Sequence, residues 1–223
     1  MEARYARNTP ALTEKDCLTL RQKKILVVGC GGLGGHVIDQ LSRIGVGALR
    51  MVDGDVFEET NLNRQLLSEV PLLGTAKAEA AAERVRRVNP EIMVEAVEEF
   101  LTEENAAARL EDCDAVGDAL DNISSRKTLA AACAKAGIPY IYGAISGWVA
   151  QAAVSMPGDG LIELLYPEGT ILRDKSVLSF TPALCGSLQV SLCVKLLTGR
   201  PVETGTVYHF DLLNLELESI PFV

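Results

Sequence analysis

The sequence predicts an α/β protein with a doubly wound, mostly parallel sheet. Apolar runs suited to buried strands alternate with segments of helical spacing over the first two thirds of the chain. A glycine-rich turn at residues 29–35 joins the first such run to the first helical segment. Beyond Ser146, short links join the apolar runs, which favours antiparallel pairing. We therefore expect a Rossmann-like sheet that antiparallel strands extend in the C-terminal third.

Strands and helices are predicted to alternate from residue 23 to residue 146. The helices have recognisable ends, such as a cap at Thr102 and a stop at Asn89 and Pro90. The predicted strands are KKILVV, ALRMVD, EIMVEAVEEF, DAVGDAL and IPYIYGAIS. The predicted helices are HVIDQLSRIGVG, LGTAKAEAAAERVRRVNP, LTEENAAARLED and NISSRKTLAAACAKAG.

The rest of the chain is predicted to be mostly extended. Four runs have this character: WVAQAAVSM, LIELLY, TVYHFDLL and LELESI. A helix from about Pro182 to Leu197 interrupts them. Residues 168–181 lack clear periodicity, which is typical of a mobile crossover loop.

Length and composition predict one globular domain, residues 1–223. We expect an N-terminal arm at about 1–22, a nucleotide-binding part at about 23–145 and a mixed-sheet part at about 146–223. No run of about 18 apolar residues suggests a membrane span, and MEARYARNTP does not resemble a signal peptide. The expected location is cytoplasmic. A net charge of -9 makes nucleic acid an unexpected partner.

The glycine-rich turn is the first candidate site. Gly29, Gly31 and Gly34 form G-x-G-x-x-G between a strand and a helix, where small residues let a backbone approach phosphates. Asp53 ends the next strand, the usual position of a carboxylate that accepts hydrogen bonds from ribose hydroxyls. Together these residues predict nucleotide binding, and on their own they leave a nicotinamide dehydrogenase open.

Cations further along the chain favour a triphosphate ligand. Arg64 follows Asn61 and Asn63, Lys77 opens a helix, and Arg7 lies in the N-terminal segment RYARN. Cations that converge on a triphosphate neutralise its charge and stabilise departing pyrophosphate. The alternative is that each is an ordinary solvated surface charge.

Asp121 is a candidate ligand for Mg²⁺. It follows the strand DAVGDAL at the carboxyl edge of the sheet, where open α/β folds bind ligands. Mg²⁺ would bridge the phosphates of ATP and reduce their repulsion against an incoming carboxylate. The alternative is that Asp121 only caps the following helix, and Asp118, nearer the strand interior, is a weaker candidate.

Several segments, taken in order, resemble the ubiquitin-activating-enzyme superfamily. They are GCGGLGG, VDGDVFEETNLNRQ, Lys77, DALDNISSR and the GSLQ of residues 186–189, and they cover roughly residues 4–200. Within the superfamily the chain resembles the bacterial MoeB/ThiF/HesA type, whose members adenylate small sulfur-carrier proteins. NLNRQ and DALDN are far more specific than the glycine motif. The resemblance implies a single ThiF-type adenylation domain whose mixed-sheet part binds the carrier.

The resemblance also implies a role for each candidate residue. It assigns ATP phosphates to Gly31, Gly32 and Gly34, the ribose to Asp53, the triphosphate to Asn61, Arg64, Gln65 and Lys77, and Mg²⁺ to Asp121 with Asn122 beside it. Arg7, Arg64, Lys77 and Asp121 would be the catalytic residues. Family members act as homodimers in which an N-terminal arginine reaches the partner's site. Arg7 is therefore expected to act in trans, and Arg4 is the weaker candidate.

The implied reaction is ATP-dependent adenylation of the C-terminal glycine carboxylate of a ubiquitin-like sulfur carrier with a Gly-Gly end, similar to ThiS or MoaD. Pyrophosphate would leave, and positioning with charge neutralisation would carry the step. Two alternatives are activation of another carboxylate, as in tRNA-modifying dehydratases, and a nucleotide-sensing scaffold. The carrier, the pathway and the route of sulfur stay open.

Two features of this family are missing from the sequence. Many relatives hold a structural zinc ion with two C-x-x-C pairs, whereas Leu161 and Leu164 stand at about the first pair and FDLLNLELESI contains no cysteine. We therefore expect no zinc and a local apolar clasp. The loop before GSLQ lacks a thiol, and Cys185 is expected to be a packed thiol rather than a nucleophile. Trp148 and Phe180 are either core residues or part of an apolar groove for a carrier's tail.

Overall fold

One mixed sheet forms the centre of the protein, for which a computed structural model describes residues 2–171 and 176–222. Its strands are β1 (Lys24–Val28), β2 (Ala48–Val52), β3 (Met93–Val97), β4 (Ala115–Asp118), β5 (Tyr140–Ser146), β6 (Val149–Ser155), β7 (Thr206–Asp211) and β8 (Glu216–Pro221). The strand order is β3-β2-β1-β4-β5-β6-β7-β8. Neighbours from β3 to β5 pair in parallel, and those from β5 to β8 pair antiparallel. The predicted parallel sheet with its antiparallel extension is confirmed.

Helices cover both faces of this sheet. They are α1 (Glu14–Leu20), α2 (Gly32–Ile44), α3 (Lys77–Val88), α4 (Glu103–Leu110), α5 (Ile123–Ala136), α6 (Leu161–Leu165) and α7 (Phe180–Leu197). Buried residues of α1, α2, α3 and α7 share one apolar cluster, and those of α4, α5 and α6 share a second. The sheet separates the two clusters, which is the layering expected of a doubly wound fold.

The chain places its nucleotide-binding candidates at a single edge of the sheet. Strands β1, β2, β4 and β5 run in the same direction, so the segments that follow them meet at their carboxyl ends, which we call the carboxyl edge. The strand order reverses at β1, which lies between β2 and β4. Open α/β sheets bind ligands at such a reversal.

Helix ends follow ordinary capping chemistry, and two of them, at Thr102 and Asn89, were predicted. The side chain of Thr102 accepts a hydrogen bond from the backbone N–H of Asn105 at the start of α4. Asn122 caps α5 by accepting from the N–H of Ser125 at 2.8 Å, and Gly137 ends that helix in the left-handed conformation with φ 73°. Asn89 follows the last residue of α3, as predicted.

Two predictions about the C-terminal third need correction. LIELLY is not a strand but contains helix α6, because its buried residues, Leu161, Ile162 and Tyr166, recur with helical rather than alternating spacing. Helix α7 begins at Phe180, close to the predicted start at about Pro182, so the predicted crossover loop of residues 168–181 ends earlier than expected. The predicted crossover loop, residues 168–181, includes residues 172–175, which lie outside the described residues. Helix α1 has a capping box at Thr13 and was not predicted.

Helix α7 is a core helix of the sheet. It is the one helix among the described residues that is long and apolar enough to cross a membrane. It packs against β5, β6 and α2, and it buries Gln189, Val190 and Cys193. Its apolar composition is therefore explained by its position between the sheet and α2.

Candidate active site

The glycine-rich turn brings the start of α2 against the end of β1. A Cβ atom placed on Gly34 would lie 1.8 Å from the carbonyl oxygen of Gly29, so only glycine allows this approach. Gly29 itself has φ 95°, and a Cβ placed on it would lie 2.5 Å from the carbonyl oxygen of Ala119. Gly31 precedes α2 and Gly32 is its first residue. The free N–H groups of the first turn of α2 thus lie at the carboxyl edge, where they can bind an anion.

Asp53 is fixed beside the glycine-rich turn. One carboxylate oxygen accepts the N–H of Cys30 at 2.7 Å, and the other accepts the N–H of Asp55 at 2.8 Å. Burial raises the pKa of Asp53, although these two N–H groups and the positive charge of Lys77 oppose the shift. Asp53, the predicted ribose ligand, therefore lies in a fixed orientation at the end of β2, next to β1.

Arg64 and Gln65 cover the glycine-rich turn from the segment that follows β2. The Cγ of Arg64 lies 3.7 Å from the position of a Cβ on Gly32, and the side-chain nitrogen of Gln65 lies 3.4 Å from that of a Cβ on Gly31. Gln65 is 7% exposed, and its side-chain oxygen has no hydrogen-bond partner among the described residues. A buried amide without a full set of partners suggests a ligand or water at this position.

Asn61 shapes the turn that carries Arg64. It is buried, and its side-chain oxygen accepts the N–H of Glu58 at 3.0 Å. Its own carbonyl accepts the N–H groups of Arg64 and Gln65. The structure thus gives Asn61 a role in folding the turn, and its contact with the triphosphate stays a prediction.

Two cations lie near the turn with their charges only partly compensated. Lys77 is the first residue of α3, and its Nζ lies 3.1 Å from Oδ2 of Asp55. The Nη1 atom of Arg64 donates to the carbonyl of Thr60 at 2.9 Å and to Oδ1 of Asn63 at 2.8 Å. Neutral acceptors orient Arg64 without cancelling its charge, so it can still bind an anion.

Asp121 lies in the loop between β4 and α5, and its side chain is exposed. The alternative that Asp121 caps α5 is wrong, because Asn122 makes the capping hydrogen bond. The side-chain nitrogen of Asn122 lies 3.4 Å from Oδ1 of Asp121. The loop adjoins the glycine-rich turn, since the Cβ of Ala119 lies 3.2 Å from the position of a Cβ on Gly34.

Arg7 is not brought to this edge of its own chain. It is exposed on the 3₁₀ helix Ala3–Asn8, whose Tyr5 packs against Gly45 at the C-terminal end of α2. Tyr5 also accepts a hydrogen bond from Asn89 at the end of α3. The glycine-rich turn lies at the other end of α2, about 20 Å away for a helix of this length. Within one chain, Arg7 therefore cannot complete the site.

An apolar surface adjoins the site on the side of the antiparallel strands. The rings of Trp148 and Phe180 lie 5.0 Å apart, and each residue is 43% exposed. Thr181 donates to the carbonyl of Gly147 at 2.8 Å, which joins the start of α7 to the β5–β6 turn. The Cβ of Pro182 lies 3.9 Å from the position of a Cβ on Gly32. Trp148 and Phe180 are therefore surface neighbours of the site rather than core residues.

Sequence reasoning missed a buried polar cluster under the loop that carries Asp121. Its members are Asp118, Arg126, Tyr140 and Gln189. The one available signal was the placement of Arg126 a helical turn after the cap Asn122, on the side of α5 that faces the sheet. The glutamine of the motif GSLQ is Gln189, and the motif alone does not predict its buried contacts.

The thiols of the chain are packed. All six cysteines are free and buried. The Sγ of Cys185 lies 3.2 Å from the carbonyl oxygen of Gln151, and burial raises the pKa of this thiol to about 12.

Among the described residues, no group of three or more His, Cys, Asp or Glu side chains could hold a metal ion. Leu161 is buried and Leu164 is exposed, so Leu161 contributes to the apolar contacts of α6 and Leu164 does not.

The fold and the site together are typical of a nucleotide-binding α/β protein. A glycine-rich turn, a fixed carboxylate after β2 and cations on the following segment all lie at one edge. A model described as the ThiF family matches residues 5–222, and the chain belongs to this family.

Curated relatives carry names that agree with this class. The chain is 36% identical to the SAMP-activating enzyme E1 of Haloferax volcanii, over 91% of this chain and 78% of that protein. It is 30% identical to the molybdopterin-synthase adenylyltransferase of Escherichia coli, over 90% and 84% respectively. The adenylyltransferase and sulfurtransferase MOCS3 of Xenopus laevis is 31% identical, and the chain spans 50% of its length. These names identify the chain as a nucleotidyltransferase.

Solved structures agree in fold. MccB of E. coli superposes with a TM-score of 0.84 at 20% identity, covering 99% of this chain and 72% of that one. The tRNA N6-threonylcarbamoyladenosine dehydratase TcdA of E. coli, solved with ATP, gives a TM-score of 0.74 at 26% identity. That match covers 88% of this chain and 94% of TcdA. The same fold is therefore found in proteins with different names.

Proposed function

We propose that this protein adenylates the C-terminal glycine carboxylate of a ubiquitin-like sulfur carrier that ends in Gly-Gly. A carboxylate oxygen of the carrier bonds to the α-phosphorus of ATP, the bond from that phosphorus to the β-phosphate bridging oxygen breaks, and pyrophosphate leaves. The observation that supports this most strongly is the position of Arg64 and Gln65 directly over Gly31 and Gly32. Polar side chains and the start of a helix thus face the same small space.

The residues of the site would act by position and charge. The N–H groups at the start of α2 and the guanidinium of Arg64 would bind phosphate oxygens, and Asp53 would accept hydrogen bonds from the ribose. Lys77 would exchange its contact with Asp55 for one with a phosphate. Such fixed charges stabilise the negative charge that develops on a departing pyrophosphate.

The donor set at the loop between β4 and α5 suits Mg²⁺. Mg²⁺ in phosphate-transfer sites is bound through one or two carboxylates together with phosphate oxygens. Asp121 offers one exposed carboxylate, and its described contact is the weak one from Asn122 at 3.4 Å. When bound, Mg²⁺ would supply charge neutralisation between the phosphates and the incoming carboxylate. Asp121 would be a ligand of the ion. Asn122 would donate a hydrogen bond to the carboxylate of Asp121 and also cap helix α5.

The apolar surface beside the site supports a protein substrate. Besides Trp148 and Phe180, it includes the turn between β7 and β8, where Leu213 and Leu215 are exposed. The N–H of Leu212 donates to the carbonyl of Trp148 at 3.0 Å, which joins that turn to the same edge. Exposed apolar patches beside polar sites are typical of docking surfaces. We infer that the body of the carrier lies here while its tail reaches the glycine-rich turn.

A homodimer would complete the site. Arg7 lies at the end of α2 that faces away from the glycine-rich turn, so its proposed contact with ATP must come from a second chain. An exposed arginine on a short 3₁₀ helix that packs through Tyr5 is suited to this role, because Tyr5 fixes the backbone while the guanidinium projects outward.

Carrier-dependent exchange of pyrophosphate into ATP tests the proposal. Carriers with an intact Gly-Gly end should support exchange in the presence of Mg²⁺, and carriers that lack the last glycine should not. Exchange that is independent of the carrier, or absent with every ubiquitin-like carrier although ATP binds, would contradict the proposed substrate.

Activation of a different carboxylate is the second candidate, because the fold also matches the tRNA-modifying dehydratase TcdA. The net charge of -9 disfavours it, since binding of a polyanion such as tRNA requires basic surface. Retention on tRNA at physiological salt, together with tRNA-stimulated ATP consumption, would favour this function over the first.

A further inference from the structure

A buried ion pair lies under the loop that joins β4 to α5. Arg126 of α5 is 4% exposed and bonds through Nη1 to the carboxylate of Asp118, which has no exposure to solvent. Tyr140 donates to the same carboxylate at 2.6 Å. Burial alone would lower the pKa of Arg126, but the nearby carboxylate of Asp118 raises it, and the net shift is upward. The guanidinium therefore keeps its charge.

This ion pair holds both polar backbone groups of one loop residue. The N–H of Leu120 donates to Oδ1 of Asp118 at 2.9 Å, and the carbonyl of Leu120 accepts from Nη2 of Arg126. Leu120 directly precedes Asp121, and within the described part of the chain the side chain of Asp121 makes one weak contact, with Asn122 at 3.4 Å. The peptide bond between Leu120 and Asp121 therefore links the backbone position of Asp121 to the ion pair.

The same ion pair is tied to the rest of the carboxyl edge. Arg126 also donates to the carbonyl of Gly143 on β5 at 2.8 Å. Gln189 of α7 donates to the carbonyl of Asp118 at 2.8 Å and to that of Ile141 at 2.9 Å. A Cβ on Gly143 would lie 2.4 Å from the side-chain carbon of Gln189, so this packing leaves no free space. The cluster thus joins β4, β5, α5 and α7 beneath the loop.

We propose that Arg126 is a positioning residue. With Asp118 it fixes the backbone of Leu120, and this fixes the position of the next residue, Asp121. This inference rests on the proposed function in one respect, namely that Asp121 holds Mg²⁺ with ATP. Arg126 touches neither of them and acts through the backbone. Replacing a residue that orients a metal ligand without touching the metal commonly lowers metal affinity by about 10–100-fold.

The geometry requires an arginine rather than any cation. Three acceptors, the carboxylate of Asp118 and the carbonyls of Leu120 and Gly143, are satisfied by two nitrogens of one planar group. A lysine has one nitrogen and cannot reproduce this planar spacing. Arg126→Lys therefore keeps the charge but should release the carbonyl of Leu120.

The test compares Arg126→Lys with Arg50→Lys. Arg50 is a matched control because it is also buried, pairs with Glu95, and donates to the carbonyls of Arg109 and Glu111 far from the site. Amide hydrogen exchange of Leu120 and Asp121 is measured without nucleotide. ATP affinity is then measured as a function of Mg²⁺ concentration. Neither measurement needs a carrier.

In Arg126→Lys we expect amide exchange at residues 120–121 to rise by about tenfold and the Mg²⁺ concentration for half-maximal ATP binding to rise by about 10–100-fold. Arg50→Lys should match the wild type in both measurements even if its thermal midpoint falls. A fall in stability equal to that of Arg50→Lys, without a change in exchange or Mg²⁺ dependence, would overturn the inference.

Tyr140→Phe provides a milder variant in case Arg126→Lys does not fold. It removes one hydrogen bond to Asp118 and keeps the ring. We expect the Mg²⁺ requirement to change in the same direction by about threefold, and an unchanged requirement would overturn the inference. Normal Mg²⁺–ATP binding without carrier adenylation would contradict the proposed function alone. Failure of the wild type to bind ATP would overturn both, because no Mg²⁺–ATP site would exist for Arg126 to position.

Discussion

At the carboxyl edge, the parallel half of the sheet presents charged side chains and the antiparallel half presents apolar ones. In the parallel half, the glycine-rich turn is lined by Asp53, Arg64 and Lys77, each fixed by neighbours at hydrogen-bonding or ion-pair distance. In the antiparallel half, Trp148 and Phe180 are exposed and contact each other. The difference agrees with the proposal that the first half binds a small, highly charged ligand and the second a protein surface.

The largest expected effect comes from filling the glycine-rich turn. Gly34→Ala would place a Cβ 1.8 Å from the carbonyl oxygen of Gly29, so the start of α2 must move. We expect loss of detectable ATP binding and a fall of about 3 kcal/mol in the free energy of unfolding. Gly117→Ala is the control, because its nearest neighbour would lie 3.6 Å away. Normal ATP affinity in Gly34→Ala, measured by calorimetry, would refute the assignment of the turn.

Removing a site cation should impair catalysis strongly and folding little. Arg64→Ala and Lys77→Ala are each expected to lower kcat/KM for pyrophosphate exchange by about 100–1000-fold, since each would remove a charge that stabilises the transition state. Arg87→Ala, which removes an exposed cation of α3, should leave the rate within about twofold. Equal effects of Lys77→Ala and Arg87→Ala would contradict a role for the buried Lys77 in the reaction.

Changes in the antiparallel half should affect the protein substrate but not ATP. Trp148→Ala and Phe180→Ala are expected to raise the KM for the carrier by about tenfold, because they remove exposed apolar contact area. The KM for ATP should not change. Met93→Ala provides the control, as this side chain is exposed on the edge strand β3. A rise in the KM for ATP instead would show that the two surfaces are not separate.

The smallest expected effect concerns the thiols. Burial raises the pKa of Cys133, Cys185 and Cys193 to about 12, so about one thiol in ten thousand is ionised at pH 8. Because the thiolate is the reactive form, native protein should resist alkylation at pH 8 and become reactive only on unfolding. Cys185→Ser should keep exchange activity within about twofold. Rapid alkylation of Cys185 in the native state, seen by mass spectrometry, would contradict its assignment as a packed thiol.

The sequence predicts the parallel half of the fold well because its signals are local. Thr102 and Asn89 mark helix ends by their own chemistry, and the glycine-rich turn requires small residues at fixed spacing. The prediction of a strand at LIELLY was wrong because an apolar run of six residues fits a strand or a short helix equally well. Only the packing of its side chains decides between the two.

The site shows a similar division. Asp53 and Lys77 could be predicted because motifs place them next to recognisable strand and helix ends. Arg126 and Gln189 could not, because their partners lie on other elements and are distant in sequence. The orientation of Asn61 into its own turn also depends on a hydrogen bond that the spacing alone does not reveal.

Tracing one carboxylate oxygen tests the central claim most directly. The carrier is prepared with oxygen-18 in its terminal glycine carboxylate, incubated with the protein, ATP and Mg²⁺, and then treated with sulfide so that AMP leaves. The account predicts one labelled oxygen in AMP, because the carboxylate attacks the α-phosphorus. Labelled inorganic phosphate together with unlabelled ADP would show attack at the γ-phosphorus and would contradict the account.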